Sequence, residues 1–286
     1  MRISASSYSN TAPLIWSFLY GSNHGMAEII LDNAPARSAE LLSQDRVDAA
    51  LVPVFAYQSI DGVKLVPDVC VGARERVRSV RLISRVDDLR EVRSVALDTS
   101  SRTSAALVKI IFREFIGVEP EWRPAEPDVT TMLETNDAAL VIGDPALRIS
   151  DFGFRISDLK SSETHALSHD TENPQSAIRD PKSYDMAELW RSFTGLGFVF
   201  AMWMTRRDTL AVDFAAARDE GLAHVDAIIS NYESDIPLNR NSMREYLTRD
   251  ISYTIDESMS AGLQKYFELA HKHQLIDRNK PLEFID

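Results

Sequence analysis

Ala96-Leu97-Asp98-Thr99-Ser100-Ser101-Arg102-Thr103-Ser104 is the stretch on which the reading of the fold turns. An apolar run ends there in hydroxyls, and the segment from Ala105 to Ile116 has helical character. The pattern predicts a strand over 94–97 that feeds a helix starting among the serines. The first backbone N–H groups of such a helix have no intrahelical partner, and the aligned peptide dipoles place partial positive charge there. In an open α/β sheet ligands lie at the ends of strands, so a carboxylate or phosphate suits this turn. A serine here can also do no more than cap its own helix, because serine and threonine are favoured caps with or without a ligand. One cap needs one hydroxyl, however, and the turn offers five, at Thr99, Ser100, Ser101, Thr103 and Ser104, with the Arg102 guanidinium beside them.

Two further turns of the same kind lie on either side. Residues 2–7 read as a strand, and Tyr8-Ser9-Asn10-Thr11-Ala12-Pro13 leads into a helix over 14–20, with Asn10 or Thr11 as cap and Pro13 near the first helical position. Ala138 to Ile142 reads as a buried strand, and Gly143-Asp144-Pro145 opens a short helix. Strands over 27–31, 48–52 and 121–123 alternate with helices around Leu41 and over 128–134, which predicts parallel sheets. Val77 to Ile83 alternates polar and apolar residues and is expected to cross between two lobes, leaving Ser79 near the cleft. Leu196 to Met204 is the most apolar run and is expected to return as a buried strand. Asp208 is expected to cap a long helix over 210–229, with further helices over 240–247 and 256–273 forming a structural final third. Two crossings then give a first lobe of residues 1–84 and 201–286 and a second of residues 85–200. Residues 160–183 are polar and broken by Asn173-Pro174 and Asp180-Pro181, and read as a long surface loop.

Composition narrows the function. With 286 residues, 44% hydrophobic and 26% charged, the chain reads as a globular protein with room for two domains. A net charge of -12 argues against nucleic acid and anionic membrane surfaces as partners. No apolar stretch is long enough for a signal peptide or a membrane span, so a cytoplasmic location is expected. Cys70 is the single cysteine, which excludes an intrachain disulfide and a cysteine metal cluster. His165 and His169 have helical spacing but no placed acidic third ligand, and no metal site is expected.

Taken together, Tyr8 to Pro13, Ala50-Leu51-Val52-Pro53, Val77-Arg78-Ser79-Val80, Leu97 to Ser104, Ala139 to Leu147 and Phe193 to Trp203 resemble the chorismate dehydratase family of the futalosine route to menaquinone. The resemblance runs in order along nearly the whole chain. It implies an α/β, two-lobe, type II periplasmic-binding-protein-like fold with a cleft between lobes, used as a hydro-lyase. The implied reaction removes water from chorismate to give 3-[(1-carboxyvinyl)oxy]benzoate, and no metal or organic cofactor is expected. The expected partners are a small dianionic substrate and, at most, a second copy of the chain in a homodimer. The family usually has leucine where Ser9 stands and proline where Gly197 stands. Ser9, read as the strand neighbour of Asn10, is expected to face away from the cleft.

Asn10 and Asp144 are the candidate catalytic residues, and Asn10, Ser79, Ser100, Ser101, Arg102, Thr103 and Gly143 the candidate substrate-binding set. Asn10 cannot ionise but can orient a departing hydroxyl or a carboxylate. Asp144 can serve as acid or base, or simply cap its helix before Pro145. The substrate's own enolpyruvyl carboxylate is a further candidate proton acceptor. Arg102 is a candidate counter-charge, because one helix end contributes only about 0.3 to 1 kcal/mol, against roughly 8 kcal/mol for micromolar binding. Two rival readings stand beside this one. The sister dihydroxynaphthoate-forming enzyme usually carries a Cys-Pro-Asn-Asp type first turn, whereas Tyr8 to Pro13 has no cysteine. A non-catalytic binding protein for an anionic metabolite would share the two-lobe plan.

Overall fold

The computed structural model describes residues 1–32, 35–98, 100–150, 181–236 and 238–285, the side chain of residue 150 apart. The first strands and helices are β1 (Arg2–Ser6), α1 (Ala12–Tyr20), β2 (Glu28–Asp32), α2 (Pro35–Ser43), β3 (Ala49–Pro53) and β4 (Lys64–Ala73). A one-turn helix, Val54–Gln58, follows β3. The chain crosses to β5 (Val80–Ser84), β6 (Ser94–Asp98), α3 (Arg102–Ile110), β7 (Glu121–Ala125), α4 (Val129–Thr135), β8 (Ala138–Ile142) and α5 (Gly143–Ser150). After β9 (Lys182–Asp185) and α6 (Met186–Thr194) it returns through β10 (Phe198–Thr205). The rest is helical: α7 (Phe214–Ala223), α8 (Val225–Tyr232), α9 (Arg240–Glu245) and α10 (Glu257–Lys272).

These strands make two five-stranded sheets, ordered β2-β1-β3-β10-β4 and β7-β6-β8-β5-β9. The expected parallel pairing holds for β2-β1-β3 and β7-β6-β8. It fails at β10 and β5, which run antiparallel to both neighbours. Each of these two strands follows a crossing and enters its sheet against the direction of the strands beside it. The central strands β3 and β8 are buried at every position. Their Ala-Ala-Leu-Val sequences are the continuous small and branched apolar runs that a sheet covered on both faces requires.

Strand pairing also moves the crossings. The lobe boundaries drawn from sequence fall after residue 84 and before residue 201, yet β5 pairs within the second sheet and β10 within the first. The outward link, residues 74–79, is tied down by Asp185, whose carboxylate accepts from the Val77 amide at 3.1 Å and the Arg78 amide at 2.6 Å. The return link is held at Gly197, whose amide donates to Ser258 Oγ at 3.0 Å and whose carbonyl accepts from Trp190 Nε1 at 3.2 Å.

Three expectations need correcting here. The surface loop read over 160–183 ends earlier, because Lys182 and Ser183 pair with Ser84 and Ile83 in β9; residues 160–180, with His165 and His169, lie outside the described residues. Asp208 caps nothing and pairs instead with Lys64 at 2.8 Å. Asp213 is the cap, accepting from the amides of Ala215 and Ala216, and the expected single helix is divided at His224 into α7 and α8. Among the described residues no helix is long and apolar enough to cross a membrane.

Candidate active site

Three strand-to-helix turns converge between the sheets. After β1, Thr11 folds its turn by donating its hydroxyl to the carbonyls of Ser6 at 2.6 Å and Tyr8 at 2.8 Å. Ser9 to Thr11 therefore form a short helical turn rather than a strand. Tyr8 and Asn10 face the space between the sheets, while Ser9 is buried. After β6, Ser101 caps α3 and its Oγ accepts from the Ser104 amide at 3.2 Å. After β8, Gly143 opens α5 with φ +66 and its amide donates to the Ser79 carbonyl at 2.7 Å. A Cβ at Gly143 would lie 3.0 Å from the Tyr8 ring, so glycine here permits both the left-handed backbone and the close packing of that ring.

The turns enclose a cavity of about 570 Å³, a figure that includes its open mouth. Asn10, Ser79, Ser101, Thr103 and Gly143 all line it. Tyr8, Thr11, Ser104 and the apolar wall of Val77, Ile142 and Phe200 complete the part that matters chemically. The Thr103 hydroxyl oxygen accepts from the Phe55 amide at 3.2 Å across the gap between the sheets, which leaves its proton to donate. Four helical segments begin at this wall: α1 at Thr11, the turn after Pro53, α3 at Ser101 and α5 at Gly143. No Lys, Arg, Asp or Glu side chain lines it among the described residues. The surface is thus one of neutral donors and positive helix ends, suited to anionic groups.

Three expected site residues are absent from the lining. Arg102 is exposed on the outer side of the first turn of α3. Ser100 turns to Asp98, donating its hydroxyl to Oδ1 at 2.6 Å and its amide to the same oxygen at 2.9 Å. Asp144 is engaged by Ser9, whose hydroxyl donates to its Oδ1 at 2.5 Å and whose amide lies 3.2 Å from both carboxylate oxygens. Ser9 is thus turned away from the cavity as expected, though not as a strand residue. It belongs to a helical turn, and its side chain joins the β1 side to α5.

Burial raises the carboxyls of Asp98 and Asp144 above their ordinary values, with hydrogen bonds from Ser100 and Ser9 respectively pulling part of the way back. Burial also raises the Tyr8 phenol, against a hydrogen bond with Ser100, so Tyr8 stays a neutral donor through the physiological range. Sequence reasoning passed over Tyr8 as a wall residue although it adjoins Asn10. It had no signal at all for Tyr246, which is fully buried and whose hydroxyl finds no hydrogen-bond partner among the described residues. Tyr246 sits in a helix read only as structural, and no local motif marks it.

Comparison with known proteins gives the family and the fold. A family model described as menaquinone biosynthesis matches residues 1–272. The chorismate dehydratase of Thermus thermophilus is 28% identical over 246 residues, covering 84% of this chain and 85% of that protein. Among solved structures, protein AF1704 from Archaeoglobus fulgidus aligns with a TM-score of 0.68 at 16% identity, covering 96% of this chain and 98% of that one. The periplasmic aliphatic sulphonate binding protein SsuA from Escherichia coli aligns with a TM-score of 0.59 at 12% identity, covering 99% and 93%. The fold is the periplasmic-binding-protein-like one, with the cavity in the cleft between its sheets.

Proposed function

The chain belongs to the menaquinone-biosynthesis family, and from that premise we propose that it is a chorismate dehydratase, a hydro-lyase yielding 3-[(1-carboxyvinyl)oxy]benzoate and water. The observation that carries the reading is the convergence of Asn10, Ser79, Ser101, Thr103 and Gly143 on one cavity floored by helix starts. Chorismate is a dianion, and this wall can receive it without a charged side chain. Each partly buried helix start contributes up to about 2 kcal/mol. Hydrogen bonds to a charged carboxylate add about 1.5 to 3 kcal/mol each. A few of these together reach the roughly 8 kcal/mol of micromolar binding, without Arg102.

In the proposed step the ring carbon bearing the enolpyruvyl ether loses its proton and the neighbouring carbon loses its hydroxyl. The electron pair left by the proton first spreads toward the ring carboxylate, so donors aimed at that carboxylate stabilise the transition state as an oxyanion hole does. Ser101, Thr103 and the first amides of α3 take that role. No carboxylate of the protein lines the cavity among the described residues, and the substrate's enolpyruvyl carboxylate is the base in this mechanism. It accepts the ring proton and passes it to the departing hydroxyl, which leaves as water, so protons and charge balance. The protein's contribution is then mainly to hold the substrate in the reactive geometry.

The test is to incubate purified, metal-stripped protein with chorismate and to follow the aromatic product by chromatography against an enzyme-free control. Formation of the enolpyruvyl-substituted benzoate is the expected result. Chorismate that is bound and returned intact would favour the binding-protein reading instead.

A further inference from the structure

Ser79 reaches the cavity from a turn that its own residues do not favour. Its amide donates to the Val77 carbonyl at 2.6 Å, two residues back, and Arg78 between them has φ +56. A hydrogen bond from residue i+2 to residue i around a positive φ is the rare and strained form of the γ-turn. Arginine seldom occupies that region, where glycine and asparagine are at ease. The Ser79 hydroxyl lies 3.3 Å from the same Val77 carbonyl, and Ser79 lines the cavity. The bend at Arg78 therefore sets where that hydroxyl stands.

Such a backbone persists only where its surroundings hold it, and here two carboxylates do. On one side is Asp185, buried and outside the cavity lining. Its Oδ1 caps α6, accepting from the amides of Ala187 at 3.0 Å and Glu188 at 3.2 Å. Its Oδ2 accepts from the amides of Arg78 at 2.6 Å and Val77 at 3.1 Å, with the Arg81 guanidinium 3.5 Å away. A helix cap needs one oxygen, and the second serves the crossing between the lobes. On the other side is Asp250, in the helical turn Tyr246–Asp250, with the guanidinium of Arg76 at 2.8 Å and that of Arg78 at 3.5 Å. The Arg78 guanidinium also donates to the Ser242 carbonyl at 3.2 Å. One lobe thus grips the amides of the turn and the other its side chains.

We propose that Asp185 is a positioning residue for Ser79: its second oxygen holds the amides of Val77 and Arg78 in the strained turn, and the turn presents the Ser79 hydroxyl to the substrate. On the chorismate reading, on which this rests, Asp185 orients the substrate without touching it.

Asp185→Ser separates the two tasks. Serine is as good a helix cap as aspartate, and with Glu188 three residues on it completes a capping box, but it has no second oxygen for the crossing. kcat/KM for chorismate should fall about 10-fold to 100-fold, as for a misplaced contact. In a Ser79→Ala background the same change should cost less than about threefold more. A smaller fall in the first case, or a larger one in the second, overturns the proposal. Should Asp185→Ser not fold, Arg78→Asn and Arg78→Val decide. Both lose the guanidinium, but asparagine tolerates a positive φ and valine does not, so kcat/KM should be lower in the valine variant by about tenfold or more. A smaller gap overturns the proposal. A readout independent of turnover is amide hydrogen exchange. In Asp185→Ser the Val77 and Arg78 amides should exchange faster by about tenfold or more while the Glu188 amide keeps its rate, and any other pattern overturns the proposal. If the parent fails to convert chorismate while Asp185→Ser shows this pattern, the substrate reading falls and the hold of Asp185 on the turn stands.

Discussion

Asp144 shows how an acidic residue at a strand end can look catalytic in sequence and have another task in the fold. Its carboxylate is taken up by the hydroxyl and amide of Ser9 and does not line the cavity. Asp144→Asn keeps an oxygen that can accept from Ser9, so kcat for chorismate should stay within about fivefold of the parent. A general base would cost about 10²-fold to 10⁴-fold on removal, and a loss of that size in a folded variant would reinstate Asp144 as the base. Asp98 makes a prediction of a different kind. Its carboxyl is raised above its ordinary 3.8, burial outweighing the hydrogen bonds from Ser100 and Ile142. The folded protein then binds that proton more tightly than the unfolded chain, and stability contributed by Asp98 is full below pH 3.8 and is lost as pH rises through the higher folded value. In thermal melts, the advantage of the parent over Asp98→Asn should therefore be greater at pH 4 than at pH 7. A difference that grows with pH would show the carboxylate to be stabilised in the fold instead.

The turns that carry these residues were legible because their chemistry is local. Pro13 after Thr11, serines at the start of α3 and Gly143 after a buried apolar run each announce a strand giving way to a helix, and the structure has all three. Antiparallel entry of β5 and β10 was not legible, since strand direction depends on where the chain has come from and not on its own residues. The division at His224 escaped for the same reason: the helical pattern continues through it, while the His224 ring stacks on Trp16 at a centroid distance of 3.8 Å, a contact made across the fold. Two substitutions probe the turns themselves. Gly143→Ala combines a φ of +66 with a Cβ 3.0 Å from the Tyr8 ring. It should cost about 1 to 3 kcal/mol of stability, read by urea unfolding, and lower kcat by displacing Tyr8. Thr103→Val leaves the Phe55 amide without its acceptor and removes a donor from the cavity. KM should rise about tenfold, and Thr103→Ser should recover most of it, because a lost hydrogen bond to a charged group is worth about 1.5 to 3 kcal/mol. If serine were no better than valine, the hydroxyl alone would not account for the effect and the threonine methyl group would be needed as well.

For the molecule as a whole, sequence placed the cleft but misplaced its charge, since neither Arg102 nor Asp144 lines it. Five of the eight expected site residues came together, because the turns that carry them flank β1, β5, β6 and β8, and the strand ends of two facing sheets share one space. Arg102 carries the charge an anion site calls for, but charge says nothing about which side of a helical turn a side chain occupies, and Arg102 is exposed. The consequence is electrostatic. The chain carries a net charge of -12, and no cationic side chain lines the cavity among the described residues. A dianion approaching from solution meets repulsion at long range and attraction only at the helix starts, within a few ångströms. Salt screens the first far more than the second, since the screening length shortens from about 30 Å at 0.01 M to about 8 Å at 0.15 M while the cleft excludes much of the electrolyte. Over that range kcat/KM for chorismate should therefore rise, by about twofold to fivefold, where an electrostatically steered enzyme loses rate. Arg102→Ala should leave the slope of this dependence almost unaltered, because one exposed charge in a field set by the whole chain changes it little. A kcat/KM that falls steeply with salt, and falls less steeply in Arg102→Ala, would return the counter-charge role to Arg102.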